Sequence, residues 1–263
     1  MINGIDVSKW QGNISWPDVA ADGIKFAMIR LGYGSQNGGT MDPKFQQNVE
    51  GARNAGIDVG VYFYGTAVTE EAARAEAQFV LSALTPYRGK IAYPVAYDTE
   101  DSSQGALSKS ALTAVVSSFC NTIREGNWYP MFYTSRSWLG NKLYPAKIDA
   151  DVWLAQWAEQ ATYEGAYGIW QHSDSGSVKG ISGNVDLDIA YVDYAEKIRT
   201  EGFNGYAESD PYAGVPEWAR ESVQWAVENG ILRGSPEGLM LNAACTRMEM
   251  CVFLKRLYDL TQS

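Results

Sequence analysis

The chain has 263 residues, 46% hydrophobic and 20% charged, with a net charge of -10. That length suits one large domain, or one with a small companion; the composition excludes wholesale disorder, and so acidic a chain is a poor partner for nucleic acid. A single histidine, His172, excludes sites built on two imidazoles, and Cys120, Cys245 and Cys251 form neither a ligand-spaced pair nor an even disulfide framework.

The start, Met1-Ile2-Asn3-Gly4-Ile5-Asp6, lacks the basic and apolar regions of a secretory leader. Apolar runs at 4–7, 26–31, 59–64, 94–99, 131–134, 152–156, 168–172 and 185–189 read as strands. Several are apolar on both faces, as a parallel sheet covered by helices requires. Helical patterns fall between the first five. Asp42-Pro43 predicts a capped start with a first-turn proline, and Gly56 the stop. The alanine-rich stretch 70–84 reads as a helix. In 110–125, Leu112, Val115, Val116, Phe119, Cys120 and Ile123 recur at helical spacing, which puts Cys120 on a buried stripe. This alternation predicts an α/β fold, a (β/α) barrel. The links from 156 to 168 and from 172 to 185 are too short for full helices, so the second half should be irregular.

The pattern changes near residue 203. Residues 203–214 are rich in Gly, Asp, Ser and Pro and read as a linker. A helix is expected from Pro216 to Gly230. A second should open on a capping box, Thr246 with Glu249, and carry the stripe Met250, Phe253, Leu254, Leu257. The expected organisation is a barrel over 1–203 and a small helical module over 204–263. The module is too short to bury a large core alone, so it should pack on the barrel or pair with other copies. No apolar run is long enough to span a bilayer, so no membrane insertion is expected.

Barrel enzymes carry their chemistry at the C-terminal ends of the strands. Those ends hold Asp6, then Asp98 and Glu100, then Asp186 and Asp188. Residues two apart in a strand share a face, so Asp98 and Glu100 should both reach the barrel mouth. Close carboxylates split their pKa values, leaving one protonated and one ionised near neutrality. Glycosidic hydrolysis needs that pair: an acid for the leaving oxygen and an anion for the oxocarbenium-like transition state. A hydrolase with a nucleophilic Ser or Cys would have to use His172, and no nucleophile elbow exists. No glycine-rich phosphate loop and no metal-loop signature occurs, so neither cofactor nor metal is expected.

Gly4-Ile5-Asp6-Val7-Ser8-Lys9-Trp10-Gln11-Gly12, Tyr97-Asp98-Thr99-Glu100, Trp153-Leu154-Ala155-Gln156-Trp157, Trp170-Gln171 and Val185-Asp186-Leu187-Asp188 follow one another in the order of a known pattern. Over about residues 1–200 the chain resembles glycoside hydrolase family 25, the Chalaropsis-type lysozymes. The resemblance implies an irregular β/α barrel that cleaves the β-1,4 bond from N-acetylmuramic acid to N-acetylglucosamine, with peptidoglycan as partner and the cell wall as place of action. It implies Glu100 as general acid, Asp98 as its acidic partner, and Asp6 and Asp186 as further carboxylates of the cleft. Tyr33, Tyr62, Tyr64, Trp153, Gln171 and Asp188 become groove residues. Asp188 stands where the family often has Asn. The family also suggests retention of configuration, with the substrate's 2-acetamido group as nucleophile and Asp98 orienting it.

Residues 215–234 followed by Thr246-Arg247-Met248-Glu249 resemble a single S-layer-homology motif. That implies secondary cell-wall polysaccharide as a partner, Arg247 as a contact, and a homo-oligomer, because such motifs usually act in threes. A helical hairpin that merely packs on the barrel is the alternative. A carbohydrate-binding barrel without turnover is the rival to the enzyme, and a reducing-sugar assay on purified wall separates them. Phage and bacterial origins both stay open.

Overall fold

The computed structural model describes residues 1–34, 38–207, 212, 215–234, 239, 241 and 243–261. It divides into two compact units, Met1–Glu208 and Ser209–Ser263.

In the first unit, β1 (Ile2–Val7) leads through α1 (Trp16–Ala21) to β2 (Phe26–Tyr33) and a two-residue β3 (Thr40–Met41). There follow α2 (Phe45–Asn54), β4 (Asp58–Tyr64), α3 (Glu70–Leu84), β5 (Val95–Asp98), α4 (Ser102–Gly105), α5 (Lys109–Glu125) and β6 (Pro130–Ser135). The unit continues with α6 (Arg136–Asn141), β7 (Asp151–Ala155), β8 (Ile169–Gly176), β9 (Val185–Ala190) and α7 (Tyr194–Thr200). The strand order is β1-β9-β8-β7-β6-β5-β4-β2-β3, and an added β1–β2 pairing closes eight strands into a barrel. All eight expected strands are present. No helix occupies 157–168 or 177–184, so the second half is the irregular one.

Two expectations need correction. A parallel sheet predicts a parallel last strand, but β9 runs antiparallel to both β8 and β1. A parallel return needs a crossover of a dozen or more residues, and 177–184 cannot supply it. The helix expected to open at Asp42-Pro43 begins at Phe45. Asp42 does accept the Lys44 N–H at 2.8 Å, but its other oxygen takes Arg30 Nε at 2.8 Å and the Lys9 N–H at 3.1 Å. A loop tie, not a helix cap, is its main task.

Strand alternation produces two cores. Outward residues such as Ile5, Ile29, Val61, Phe63, Tyr97, Phe132 and Leu154 pack under the helices with Val80, Val116 and Phe119. Inward residues Phe26, Met28, Tyr62, Ala96, Met131, Tyr133, Trp153 and Ile169 fill the barrel. Continuing the inward parity one or two steps gives Asp6, Arg30, Asp98 and Gln171. The polar site is therefore the top layer of the same stack that forms the barrel core. Cys120 is fully buried, and burial pushes its thiol up to about 12, which leaves it inert at neutral pH.

The second unit contains α8 (Glu217–Glu228) and α9 (Arg247–Leu260). Gly230 follows α8 at φ 65°, a left-handed stop that suits glycine. The expected capping box forms: Thr246 Oγ1 accepts the Glu249 N–H at 3.2 Å, and Glu249 accepts the Thr246 N–H at 2.7 Å. Arg256 reaches back to the Ile231 carbonyl at 2.8 Å, tying the helices together. Part of the expected linker, 208–211 and 213–214, lies outside the described residues. Among the described residues, no helix is long and apolar enough to cross a membrane.

Candidate active site

A cleft of about 380 Å³ opens at the C-terminal ends of the parallel strands. Asp6, Asp98, Glu100, Asp174 and Asp186 line it, with Tyr62, Tyr64, Tyr133, Trp153, Gln171, Ser8, Gln11 and Arg30. Trp10 and Trp157 also line it, with 75% and 58% of their surfaces open. Among these residues Arg30 is the only basic one.

Parity and register explain the placement. Asp6 ends β1, and because β9 is antiparallel, the start of that strand comes to the same mouth, pairing Asp186 with Asp6. Asp98 ends β5, beside Tyr64 on β4 and Tyr133 on β6. Glu100 lies beyond the end of β5, so strand alternation does not orient it. The chain turns after Thr99, whose carbonyl accepts Thr134 Oγ1 at 2.7 Å. Glu100 nonetheless reaches the same cleft as Asp98.

Gln171 is the hub of the floor. Its Nε2 donates to Asp6 Oδ2 at 2.7 Å, and its Oε1 accepts Tyr133 Oη and Trp157 Nε1, each at 3.0 Å. This fixes the amide orientation and ties an exposed tryptophan to a buried carboxylate. Trp153 stands edge-on to Tyr62 and Tyr133, with ring centroids 5.9 and 4.8 Å away. Tyr64 donates to Asp101 at 3.1 Å.

The carboxylates hold one another above their ordinary range. Asp98 is raised well above it, by burial first and then by Glu100, while Arg30 pulls the other way. Glu100 is raised by burial, Asp186 and Asp101. Asp6 is raised well above the usual range by burial, then by Asp188 and Asp186. Asp98 and Glu100 cannot both ionise freely, so they titrate as a pair. Their neighbours are unequal. The Arg30 cation, gripped by Asp42 at 2.7 Å, favours the anion on Asp98, whereas anions surround Glu100. Burial pushes Asp98 up the more strongly of the two; Arg30 opposes that push, and among the described residues no cation opposes the push on Glu100. The rate of any acid-catalysed step should therefore peak at mildly acidic pH and fall as Glu100 deprotonates. A pH–rate profile that climbs steadily from about pH 6 to about pH 9 contradicts Glu100 as the acid.

The cleft gathers most of the expected site residues: Asp6, Asp98, Glu100, Asp186, Tyr62, Tyr64, Trp153 and Gln171. Asp188, expected in the groove, does not line it. It is 1% exposed, because antiparallel β9 carries it one inward step deeper than Asp186. Tyr33, at the end of β2, does not line the cleft either. Arg247 belongs to the second unit, exposed at the first position of α9. His172 lies outside the cleft, its ring 5.4 Å from Trp170. Trp10 and Trp157 stood in the quoted motifs without a role. Arg30 and Tyr133 were missed. A lone arginine inside an apolar strand demands a carboxylate partner, and that was the readable signal for Arg30. Among the described residues no group of three His, Cys, Asp or Glu side chains is placed to hold a metal ion.

The sequence profile described as glycosyl hydrolases family 25 matches residues 5–181. The Escherichia coli O157:H7 protein YegX is 30% identical over 196 residues, 72% of this chain and 69% of that protein. Lysozyme M1 of Streptomyces globisporus is 27% identical over 201 residues, 70% of this chain and 66% of that protein. Among solved structures, the modular autolysin LytC from Streptococcus pneumoniae superposes with a TM-score of 0.63 at 24% identity, over 72% of this chain. This chain spans 46% of the length of LytC, which has also been solved with a synthetic peptidoglycan ligand. At that identity the likeness is one of fold.

Proposed function

The chain belongs to glycosyl hydrolases family 25, and from that premise we propose that it is a lysozyme, an N-acetylmuramidase acting on bacterial peptidoglycan. The observation that carries this reading is the pair Asp98 and Glu100 in one cleft with unequal neighbours. Glu100, protonated and at the open side, delivers its proton to the glycosidic oxygen. Asp98 is 6% exposed, and its Oδ1 has no partner among the described residues. The edge of the Asp98 carboxylate that reaches the cleft suits the N–H of the substrate's 2-acetamido group, which it would turn toward the anomeric carbon. The open faces of Trp10 and Trp157 suit sugar rings on either side. Asp6 and Asp186 extend the negative potential that favours an oxocarbenium-like transition state.

Mass spectrometry of digested peptidoglycan tests the bond specificity. Muramidase action leaves fragments with N-acetylmuramic acid at the reducing end. Fragments ending in reducing N-acetylglucosamine overturn the reading.

Residues 204–263 we assign to wall association, through an S-layer-homology-like helical pair. The support is the capped α9 with exposed Arg247 in its first turn, where free N–H groups and a guanidinium can together hold an acidic sugar. Trp218 and Trp225 on α8 are 86% and 50% exposed. Deleting the unit should leave cleavage of short soluble glycans unchanged, because every proposed catalytic carboxylate lies in the first unit. Lysis of intact cells should drop roughly tenfold or more, since a tether raises the local enzyme concentration. If both substrates suffer alike and the melting temperature falls, the pair is a structural cover instead. Equal wall pull-down by the full chain, the truncation and Arg247→Ala rules out the anchor.

A further inference from the structure

Asp188 is a buried acid for which the proposed reaction has no direct use. It lies on β9 with Gly4 of β1 on one side and Gln171 of β8 on the other, 1% exposed. Its Oδ1 accepts the Trp153 indole N–H at 2.8 Å. Its Oδ2 is sealed from solvent, and no N–H or O–H of the described residues reaches it. What stands within hydrogen-bonding reach is another carboxyl group, that of Asp6. Asp6 in turn accepts Gln171 Nε2 and is 6% exposed.

Two carboxylates in contact, both out of water, cannot both carry charge. One proton between Asp6 and Asp188 resolves that contact, while Asp6 also meets Asp186 at the cleft. Placed on Asp188 Oδ2, that proton supplies the donor that Asp6 faces, while Oδ1 remains free for Trp153. Placed on Asp6, it would leave Asp188, the deeper of the two, as the anion. Asp6 is the better anion, since it has the Gln171 donor and borders the open cleft.

We propose that Asp188 is a positioning residue that works as a neutral acid, donating its proton to Asp6 and accepting Trp153, and so fixing the Asp6 carboxylate at the cleft floor. The groups facing it are Asp6 from β1, Asp186 from its own strand and Tyr133 from β6, with Trp153 and Gln171 as neutral neighbours on β7 and β8. Asp98 acts on the pair through Asp6, and Arg30 is the nearby cation, facing Asp98 and Tyr62. Burial first, then the Asp186 charge, hold Asp188 well above the ordinary carboxylate range, against the Trp153 N–H and the contact with Asp6, which both pull it down.

The protonation stands whatever the substrate; only its catalytic consequence rests on the lysozyme reading. Asparagine is the near-isostere of a neutral aspartic acid and can make both bonds. The folded pKa of Asp188 is raised above the ordinary 3.8, so its contribution to stability is full below that value. It is lost as pH rises through the raised folded value. Asp188→Asn should therefore match the wild type in thermal unfolding at about pH 4 and exceed it increasingly toward about pH 8. The wild type should show infrared carbonyl absorption of protonated, buried acids at neutral pH, and Asp188→Asn should lose one such band while that of the Asp98 and Glu100 pair stays. In turnover, Asp188→Leu should lose roughly tenfold or more in kcat by releasing Asp6, and Asn at the same position should rescue it. If Asp188→Leu does not fold, the Asn variant and the infrared band still decide. Unchanged carbonyl absorption, a stability difference that does not vary with pH, or an Asn variant as impaired as Leu overturns the proposal. Neither the band nor the unfolding curve needs substrate, so a chain without muramidase activity leaves this test intact.

Discussion

Glu100→Gln should abolish wall hydrolysis and leave the fold intact. Glutamine has the size of glutamic acid and can still hydrogen-bond, but it has no proton to give to a departing sugar oxygen. General acid catalysis contributes roughly 10²–10⁴-fold, and the loss should fall in that range or beyond it. The fold should not notice. Glu100 stands in the cleft past the end of β5 and is not part of either packed core. Removing one titrating carboxyl from a cluster of mutually raised carboxylates should also relieve repulsion wherever it would ionise, so the melting temperature should hold, or rise slightly toward alkaline pH. The check is paired: turnover of purified wall, and thermal unfolding of the same preparation. More than about a tenth of wild-type turnover, with contamination excluded, sinks the assignment. A large drop in melting temperature would mean that lost activity reflects lost structure.

The barrel and the carboxylates were legible because one alternation serves both. The inward positions that read as apolar near the start of each strand become polar at its end, and Asp6 and Asp98 are that change of character. Strand direction was not written in the same pattern. Val185–Ala190 alternates alike whether it runs up or down, so Asp186 and Asp188 looked equivalent. Connector length held the answer: residues 177–184 cannot return a chain for a parallel strand. Reading that would have placed Asp186 at the mouth and Asp188 below it. The tie of Arg30 to Asp42 was hidden for another reason. Asp42 precedes a proline and a helical stretch, and the cap reading absorbed it, although the unpaired Arg30 in an apolar run needed a carboxylate. Trp10 and Trp157 were visible as residues, but only the cleft shows that their faces remain open.

Asp98→Asn should cripple turnover by about 10²–10³-fold, with a much smaller effect on binding. Asp98 is buried, has an oxygen without a partner among the described residues, and shares a cleft with Glu100. As an anion it can accept the acetamido N–H and strengthen the carbonyl oxygen as a nucleophile toward the anomeric carbon. Asparagine keeps the shape, but it has no charge to place there, and its NH₂ group can occupy the accepting position. Arg30 would then face a neutral amide. The cation that now favours the Asp98 anion would have no carboxylate of the pair to act on, and Glu100 would lose its dyad partner. Two changes should follow. The rate should fall in kcat more than in KM, because the lost interaction grows as charge develops at the anomeric carbon. The pH profile should also change shape, since a bell produced by two coupled carboxyls becomes the titration of one. Glu100 lies beyond the end of β5, so strand spacing does not fix its distance from Asp98 and does not choose the stereochemical class. NMR of the first-formed anomer decides it. Acetamido assistance, with Asp98 as the orienting group, produces the β-anomer first from the β-linked substrate. An initial α-anomer refutes both the neighbouring-group step and the orienting role of Asp98.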